Sequence, residues 1–382
     1  MSKMKILHIP NYYYPHIGGI EQTARDCVNA LKDEYEQKVI CFNSDKKTVK
    51  DQVDGIDIVR AGTFIKVSSQ AISFSFKKEL KKIMKSFQPD IVVFHYPNPF
   101  IAHYLCKYLK KKAFKFILWW HLDITKQKLL GKFFEGQNQK LLRYADRIIA
   151  TSPNYVAGSK YLSSHKDKCI VIPSCINENR LAYDDAIKQK ALEIKNQFSN
   201  QKLCFAFGRH VEYKGLTYLI ASSKLLDDTY AVLIGGQGPL TEQMKKEASG
   251  DSKIHFLGRL SDEDLKAYLL ACDIFCFSSI TKNEAFGLGL AEAMYYEKPA
   301  VTFHIPGSGV NYVSLNGVTG IEVENRNIEK YAEAIQSLSD CKIAQEYGLK
   351  AKERVLKLFT YEVFSDSIKK FFLDISGKRE NV

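Results

Sequence analysis

Residues 202–240 read KLCFAFGRHVEYKGLTYLIASSKLLDDTYAVLIGGQGPL. Two short apolar runs, 202–207 and 230–234, have the length and composition of buried strands. Between them 215–226 carries helical periodicity. Each strand run ends in a glycine-bearing loop, FGRHVEYKG at 207–215 and GGQGPL at 235–240. Strand, loop, helix, strand is the unit of a parallel sheet with right-handed crossovers.

The same alternation extends in both directions. Downstream, strand runs fall at 253–257, 273–277, 299–303 and 318–323, with helices at 240–248, 262–271, 287–296, 328–338, 341–357 and 361–375. Upstream, a first series has strand runs at 4–9, 38–42, 56–59, 91–94, 115–119, 147–150 and 169–172, and helices at 20–32, 76–87, 99–111, 126–144 and 153–162. The polar stretch 173–200 separates the two series and is expected to hold a linker and one surface helix. A chain of 382 residues exceeds what one core usually serves. The expected division is 1–176, 177–360 and a last helix, 361–382, that crosses back to the first domain.

No apolar run approaches the roughly 18 residues that span a bilayer. The opening MSKMKILHIPNYYY leads into a strand and is too short an apolar stretch for a signal peptide. The nine cysteines are odd in number and scattered. They are expected to be reduced, packed thiols of a cytoplasmic protein. The net charge of +12 is uneven: residues 1–176 hold 29 of the 55 basic residues but only 15 of the 43 acidic ones. Lysines concentrate between 77 and 140. A one-sided positive field suits a polyanion such as a phospholipid surface, a lipid pyrophosphate or a nucleic acid, or simply reflects solvated helix faces.

In open α/β sheets ligands sit beyond the carboxyl ends of the strands, so chemistry is sought in those loops. In 10–21, PNYYYPHIGGIE, Gly18 and Gly19 open a helix whose N–H groups can face an anion. The spacing is not that of a dinucleotide fingerprint, which argues against a dehydrogenase. In WWHLDITKQK, 119–128, His121 and Asp123 follow a strand. A neutral His121 can hydrogen-bond a sugar hydroxyl or a developing charge. Arg209 and Lys214 can clamp a pyrophosphate from two sides and neutralise a diphosphate leaving group. Gly236 and Gly238 allow close backbone approach to a phosphate or base.

The most specific stretch is SSITKNEAFGLGLAEAM, 278–294. Phe286, Gly287 and Leu288 are expected to start a helix whose N–H groups meet a phosphate. Glu284 precedes it and can reach sugar hydroxyls; Glu292, within it, can accept both hydroxyls of a ribose. Asp262-Glu263-Asp264 reads as a helix N-terminus after Ser261 rather than a metal site. No metal and no cofactor is expected, and the cationic clamp then takes over the electrostatic task of a divalent ion.

These residues resemble the family 4 (group 1) retaining glycosyltransferases along essentially the whole chain. The resemblance rests on Glu284 and Glu292 within NEAFGLGLAEAM, with GGIEQ, HLD, GRHVEYKG, GGQGPL and NGVTGIEV in order. It implies the GT-B fold, two Rossmann-like α/β domains with parallel sheets facing across a cleft, the first binding acceptor and the second donor. It implies that Gly19 lies beside the donor phosphate and that His121 touches the transferred sugar. Arg209 and Lys214 would bind the diphosphate, Glu284 orient the sugar and Glu292 bind the ribose, with configuration retained.

HLDITKQK, LLRYADRIIATSPNY and HIPGSGVNYV further resemble bacterial O-antigen or capsule mannosyl/rhamnosyl transferases. That implies a nucleotide-diphosphate sugar donor, GDP-mannose or a related hexose first and UDP-sugars next. The implied acceptor is a glycan on a lipid pyrophosphate at the inner membrane face, with an anionic membrane surface and no nucleic acid as further partner. SFSFKKELKKIMKSF, 73–87, interleaves apolar residues with lysines and suits either interfacial docking or core packing. The alternative to an enzyme is a nucleotide-sugar-binding GT-B protein without catalysis.

Overall fold

A computed structural model describes residues 3–16, 18–67, 70–123 and 128–377; side chains at 66, 67, 70 and 128–133 are not described. Ile124 and Lys126, singled out in the sequence, lie outside the described residues, as do 378–382. The chain forms two compact units, Met1–Ser174 with Glu362–Val382, and Cys175–Tyr361.

The strands of the first unit are β1 Lys5–Ile9, β2 Glu36–Phe42, β3 Val49–Val53, β4 Ile56–Ala61, β5 Ile65–Val67, β6 Gln70–Ile72, β7 Ile91–Tyr96, β8 Lys115–Trp120, β9 Arg147–Ala150 and β10 Cys169–Val171. Eight form one sheet in the order β10-β9-β8-β7-β1-β2-β4-β3. Its pairs are parallel except β3 with β4. That hairpin and the small β5–β6 ladder are additions to the expected pattern. VKDQV in β3 is largely exposed and has no apolar run to announce it. Its cue is the Asp54-Gly55 turn, with φ of 53° and 82°, the backbone of a two-residue hairpin loop.

The second unit has β11 Lys202–Phe207, β12 Tyr230–Gly235, β13 Ile254–Gly258, β14 Ile274–Phe277, β15 Ala300–Phe303 and β16 Gly320–Val323. These six are in the order β13-β12-β11-β14-β15-β16 with every pair parallel. Both units are therefore Rossmann-like, with their crossovers among the described residues largely helical. Strand order reverses between β1 and β7 in one sheet and between β11 and β14 in the other.

Because β7 and β8 are buried on both faces, alternate residues build two cores. Tyr96 and Trp120 stack on one face at 4.0 Å, while His95 and Trp119 stack on the other at 5.0 Å. Helix Tyr361–Ser376 returns to the first unit, where Phe364 lies 6.2 Å from Trp119 and Phe372 lies 6.1 Å from Tyr35. Such aromatic pairs add about 0.5–1.5 kcal/mol each beyond their burial.

Helix Phe74–Ser86 divides the two readings of 73–87. Phe76, Leu80, Ile83 and Phe87 are core, whereas Phe74 is 72% exposed and packs on the exposed Phe64 at 5.8 Å. Lys77, Lys78, Lys81, Lys82 and Lys85 are solvated. All nine cysteines are free; Cys341 is exposed, contrary to the expectation of packing throughout. Among the described residues no helix is long and apolar enough to cross a membrane.

Candidate active site

β11 and β14 are neighbours, Cys204 opposite Ile274 and Phe205 opposite Phe275, so the loops that follow them emerge side by side. Ser278 Oγ donates to the Lys214 carbonyl at 3.0 Å and the Ile280 N–H to the Tyr213 carbonyl at 2.9 Å, binding one loop to the other. Lys214 and Glu284, 70 residues apart in sequence, meet there: Nζ lies 2.5 Å from Oε2. Their side chains are 19% and 12% exposed. Ser279 Oγ donates to the same Glu284 oxygen at 3.1 Å. Burial presses the Lys214 ammonium towards neutrality, but the Glu284 carboxylate and the Tyr213 hydroxyl together outweigh it and hold Lys214 above its ordinary value. Arg209 repels Lys214 enough to oppose this. Arg209 is itself exposed and, among the described residues, has no ion-pair partner.

Gly236 and Gly238 serve this loop as a keel. The Gly208 N–H donates to Gly235 O at 3.1 Å and the His210 N–H to Gln237 O at 3.1 Å. Gly236 has φ of 112°, and a Cβ there would lie 1.9 Å from the Gly208 carbonyl oxygen; at Gly238 it would lie 2.4 Å from that of His210. Only glycine lets the two backbones touch. His210, buried behind Arg209, shares a hydrogen bond with Thr241 Oγ1 at 2.9 Å.

The helix expected to start at 286–288 runs Leu288–Tyr295, with Gly287 before it at φ of 97° and no side-chain cap. Phe286 lies outside it and is a core residue, edge-on to Phe359 at 5.3 Å, so only its backbone is available to a ligand. Ser308 Oγ donates to the Glu284 carbonyl at 2.5 Å, fixing that turn. Glu292 is ion-paired to Arg180, which also reaches Asp262 at 3.1 Å. Burial raises the Glu292 carboxyl above its ordinary value and Arg180 opposes it. The two ends of the E-x7-E stretch thus hold separate cations, Lys214 and Arg180. Arg180 was not legible: it lies in the polar linker and meets Glu292 only through the fold.

Ser261 and Asp264 form the reciprocal cap expected of LSDEDL, and Lys190 sits 2.5 Å from Asp264. Among the described residues no cluster of three or more His, Cys, Asp or Glu is arranged to hold a metal ion.

In the first unit, Gly18 precedes helix Gly19–Leu31 with φ of −178°, extended backbone that any residue adopts. Its lack of a side chain matters for another reason: a Cβ would lie 2.2 Å from Glu21 Oε2. Glu21 is folded over the uncapped helix start, its carboxyl raised by burial. The Gly19 carbonyl accepts from Thr23 Oγ1 at 2.9 Å.

His121 follows β8. Its N–H donates to the Tyr96 carbonyl at 3.2 Å and its Nε2 lies 3.1 Å from His95 Nδ1. Burial lowers its pKa to about 3, so the ring is neutral. Asp123 is an anchor: it accepts from Trp120 Nε1 at 2.9 Å and Ser159 Oγ at 2.8 Å, and its N–H donates to Tyr155 Oη at 2.6 Å. The arrangement offers cations and a hydroxyl-binding carboxylate in the second unit, and a fixed neutral imidazole in the first.

Two family models match the chain: glycosyltransferase family 4 over residues 17–180 and glycosyl transferases group 1 over 188–354. D-rhamnosyltransferase WbpZ of Pseudomonas aeruginosa is 30% identical over 364 residues, 94% of this chain and 92% of that one. O-antigen chain mannosyltransferase C of Escherichia coli is 27% identical over 369 residues, 95% and 96%. Among solved structures, HepE of Anabaena in complex with UDP-glucose superimposes with a TM-score of 0.77 at 16% identity, covering 97% of this chain and all of that one.

Proposed function

The chain belongs to the family 4 (group 1) glycosyltransferases, and on that premise we propose that it moves a hexose from a nucleotide-diphosphate donor to a lipid-pyrophosphate-linked glycan in the assembly of an O-antigen-type surface polysaccharide. The donor is GDP-mannose or a related hexose first, as the mannosyl and rhamnosyl relatives suggest, and a UDP-sugar next, as the UDP-glucose complex of HepE suggests. The observation that carries the reading is the Lys214–Glu284 pair at the strand-order reversal, with Arg209 beside it.

Arg209 and Lys214 bind the diphosphate and neutralise the charge that grows as the anomeric C–O bond breaks. Glu284 orients the sugar hydroxyls, His121 touches the transferred sugar, and Glu292 takes the ribose. The N–H groups around Gly287 and Leu288, with the backbone at Gly236 and Gly238, face the donor; Gly18 and Gly19 lie beside its phosphate. Substitution on the front face retains configuration: the acceptor oxygen bonds to the anomeric carbon as its proton passes to the departing phosphate oxygen. The two side-chain cations do the work of a divalent ion, so turnover persists in EDTA; a strict Mg²⁺ or Mn²⁺ requirement contradicts this.

The first unit binds acceptor and the second donor. The solvated lysines of 77–85, with exposed Phe64 and Phe74, seat the enzyme at the anionic inner face of the cell membrane. Thermal stabilisation by a panel of GDP- and UDP-sugars, followed by turnover of the best binder with a lipid-linked acceptor, tests the whole reading. Binding without release of nucleotide would mark a protein that has lost catalysis.

A further inference from the structure

One face of β1, β7 and β8, with His121 just beyond β8, carries a cluster of four buried rings. His8, His95 and Trp119 are 0% exposed and His121 is 4% exposed. Ring centroids are 6.4 Å apart for His8 and His95, 5.0 Å for His95 and Trp119, and 5.3 Å for His95 and His121, the last pair with planes 14° from parallel. His8 comes from β1 and His95 from β7, so this group exists only because those strands pair.

Protons in the cluster can be counted. Burial lowers His8 to about 4 and His121 to about 3. It lowers His95 well below its ordinary value, helped by the two neighbouring histidines. Each ring therefore carries one proton. The Gln37 amide donates its Nε2–H to the Val28 carbonyl at 2.9 Å, which turns its Oε1 towards His8 Nε2 at 2.8 Å. His8 must then hold its proton on Nε2 and a lone pair on Nδ1. Among the described residues, His8 Nδ1, His95 Nε2 and Trp119 Nε1 are buried without a hydrogen-bond partner.

The contact between His95 Nδ1 and His121 Nε2, 3.1 Å, needs one proton. If His121 supplies it, His95 carries its own proton on Nε2, a buried donor without an acceptor. Trp119 Nε1 is already such a donor. If His95 supplies it, its Nε2 is a lone pair, and Trp119 remains the one orphaned donor among the three atoms. Orphaned buried N–H groups are the rarer kind, so the second arrangement is favoured.

We infer that His95 is a positioning residue: its Nδ1–H donates to His121 Nε2, fixing His121 as the Nδ1–H tautomer, a permanent hydrogen-bond donor to the transferred sugar. This rests on the reading of His121 as a sugar contact. His121 then never serves as a general base, because its Nε2 lone pair is engaged by His95 and its Nδ1 carries the proton.

The test is the long-range ¹H–¹⁵N spectrum of the full-length protein labelled with ¹⁵N-histidine, with His121 assigned by its loss in His121→Asn. The expected signature is a protonated Nδ1 and an unprotonated, hydrogen-bonded Nε2. A protonated Nε2 in the wild-type protein overturns the inference without any variant. His95→Phe is expected to release His121 to a tautomer mixture and to lower kcat about tenfold, the lower end of what losing an orienting partner costs elsewhere. His95→Asn, which puts an amide N–H where Nδ1–H stood, is expected to recover the tautomer and most of the rate. A folded His95→Phe protein with His121 unchanged in tautomer and kcat also overturns the inference. Should His121→Ala keep full turnover, the sugar-contact reading fails, while the wild-type spectrum still decides the part played by His95.

Discussion

In the second unit the loops after β11 and β14 hold Lys214 against Glu284, and the helix that follows holds Glu292 against Arg180. In the first unit the strands at the corresponding reversal, β1 and β7, and their neighbour β8 lead to His8, His95 and His121, all uncharged. The two sheets share a topology of parallel strands and reversal points, yet one end is built from ion pairs and the other from neutral rings. The difference teaches that the fold supplies positions only; the charge state is set by what each side chain is buried against. A carboxylate beside Lys214 keeps it charged despite burial, whereas His95, surrounded by rings, has nothing to stabilise a charge.

The sharpest way to break this comparison is Lys214→Ala. It should lower transfer by about 10²–10³, roughly 2.7–4 kcal/mol, as loss of a preorganised charge partner does. Circular dichroism melts should show the fold intact; full activity removes Lys214 and Glu284 from the reaction. Next in size is Gly236→Ala. With φ of 112° and the Gly208 carbonyl 1.9 Å from the new carbon, it should cost about 3 kcal/mol or more, whereas Gly250→Ala, at φ of 85° with open space around it, should cost about 1–2. Equal melting points for the two would show that the loop contact is not tight.

Acid should then probe the histidines of the first unit. A histidine whose folded pKa is depressed binds its proton more readily when unfolded. The stability it contributes is complete above the ordinary value of 6.5 and is lost as pH falls towards about 4 for His8 and about 3 for His121. Each such group costs about 1.4 kcal/mol per pH unit within that window. Both tryptophans of the chain, Trp119 and Trp120, lie in the first unit, so their fluorescence reports on it alone. The indole signal should change as pH falls from 6.5 towards 4; an indole signal unmoved through that window would refute a first unit made acid-sensitive by its histidines. The smallest effect is Arg180→Met, which unpairs Glu292. The guanidinium is 36% exposed, so a discounted cost of about 1 kcal/mol is expected, with a raised KM for donor and little change in kcat.

Much of this fold is legible in the sequence. The parallel strands and helices stood out because their apolar runs are separated by glycine- and proline-bearing loops. The loops with Arg209, Lys214 and Glu284 were found for the same reason. β3 escaped because an exposed edge strand needs no apolar residues. What could not be read was which loops lie together. Lys214 meets Glu284 because β11 pairs with β14, and His95 meets His121 because β7 pairs with β8. Arg180 and His95 were missed on those grounds: each acquires its meaning from a partner that only strand order or chain reversal brings near. Phe286 is a different case: the sequence singles out its N–H at the helix start, and what only the fold adds is that its side chain is core and the helix begins two residues later, at Leu288.

The seating of Gly236 on Gly208 and of Gly238 on His210 has a consequence for any redesign of the loop. Within GGQGPL those two positions cannot accept a side chain, so variation there is confined to the residues between and after them. Gln237 and Pro239 are both exposed. A library built on that turn should vary Gln237 and Pro239, because both are exposed and neither is held against the neighbouring backbone as Gly236 and Gly238 are.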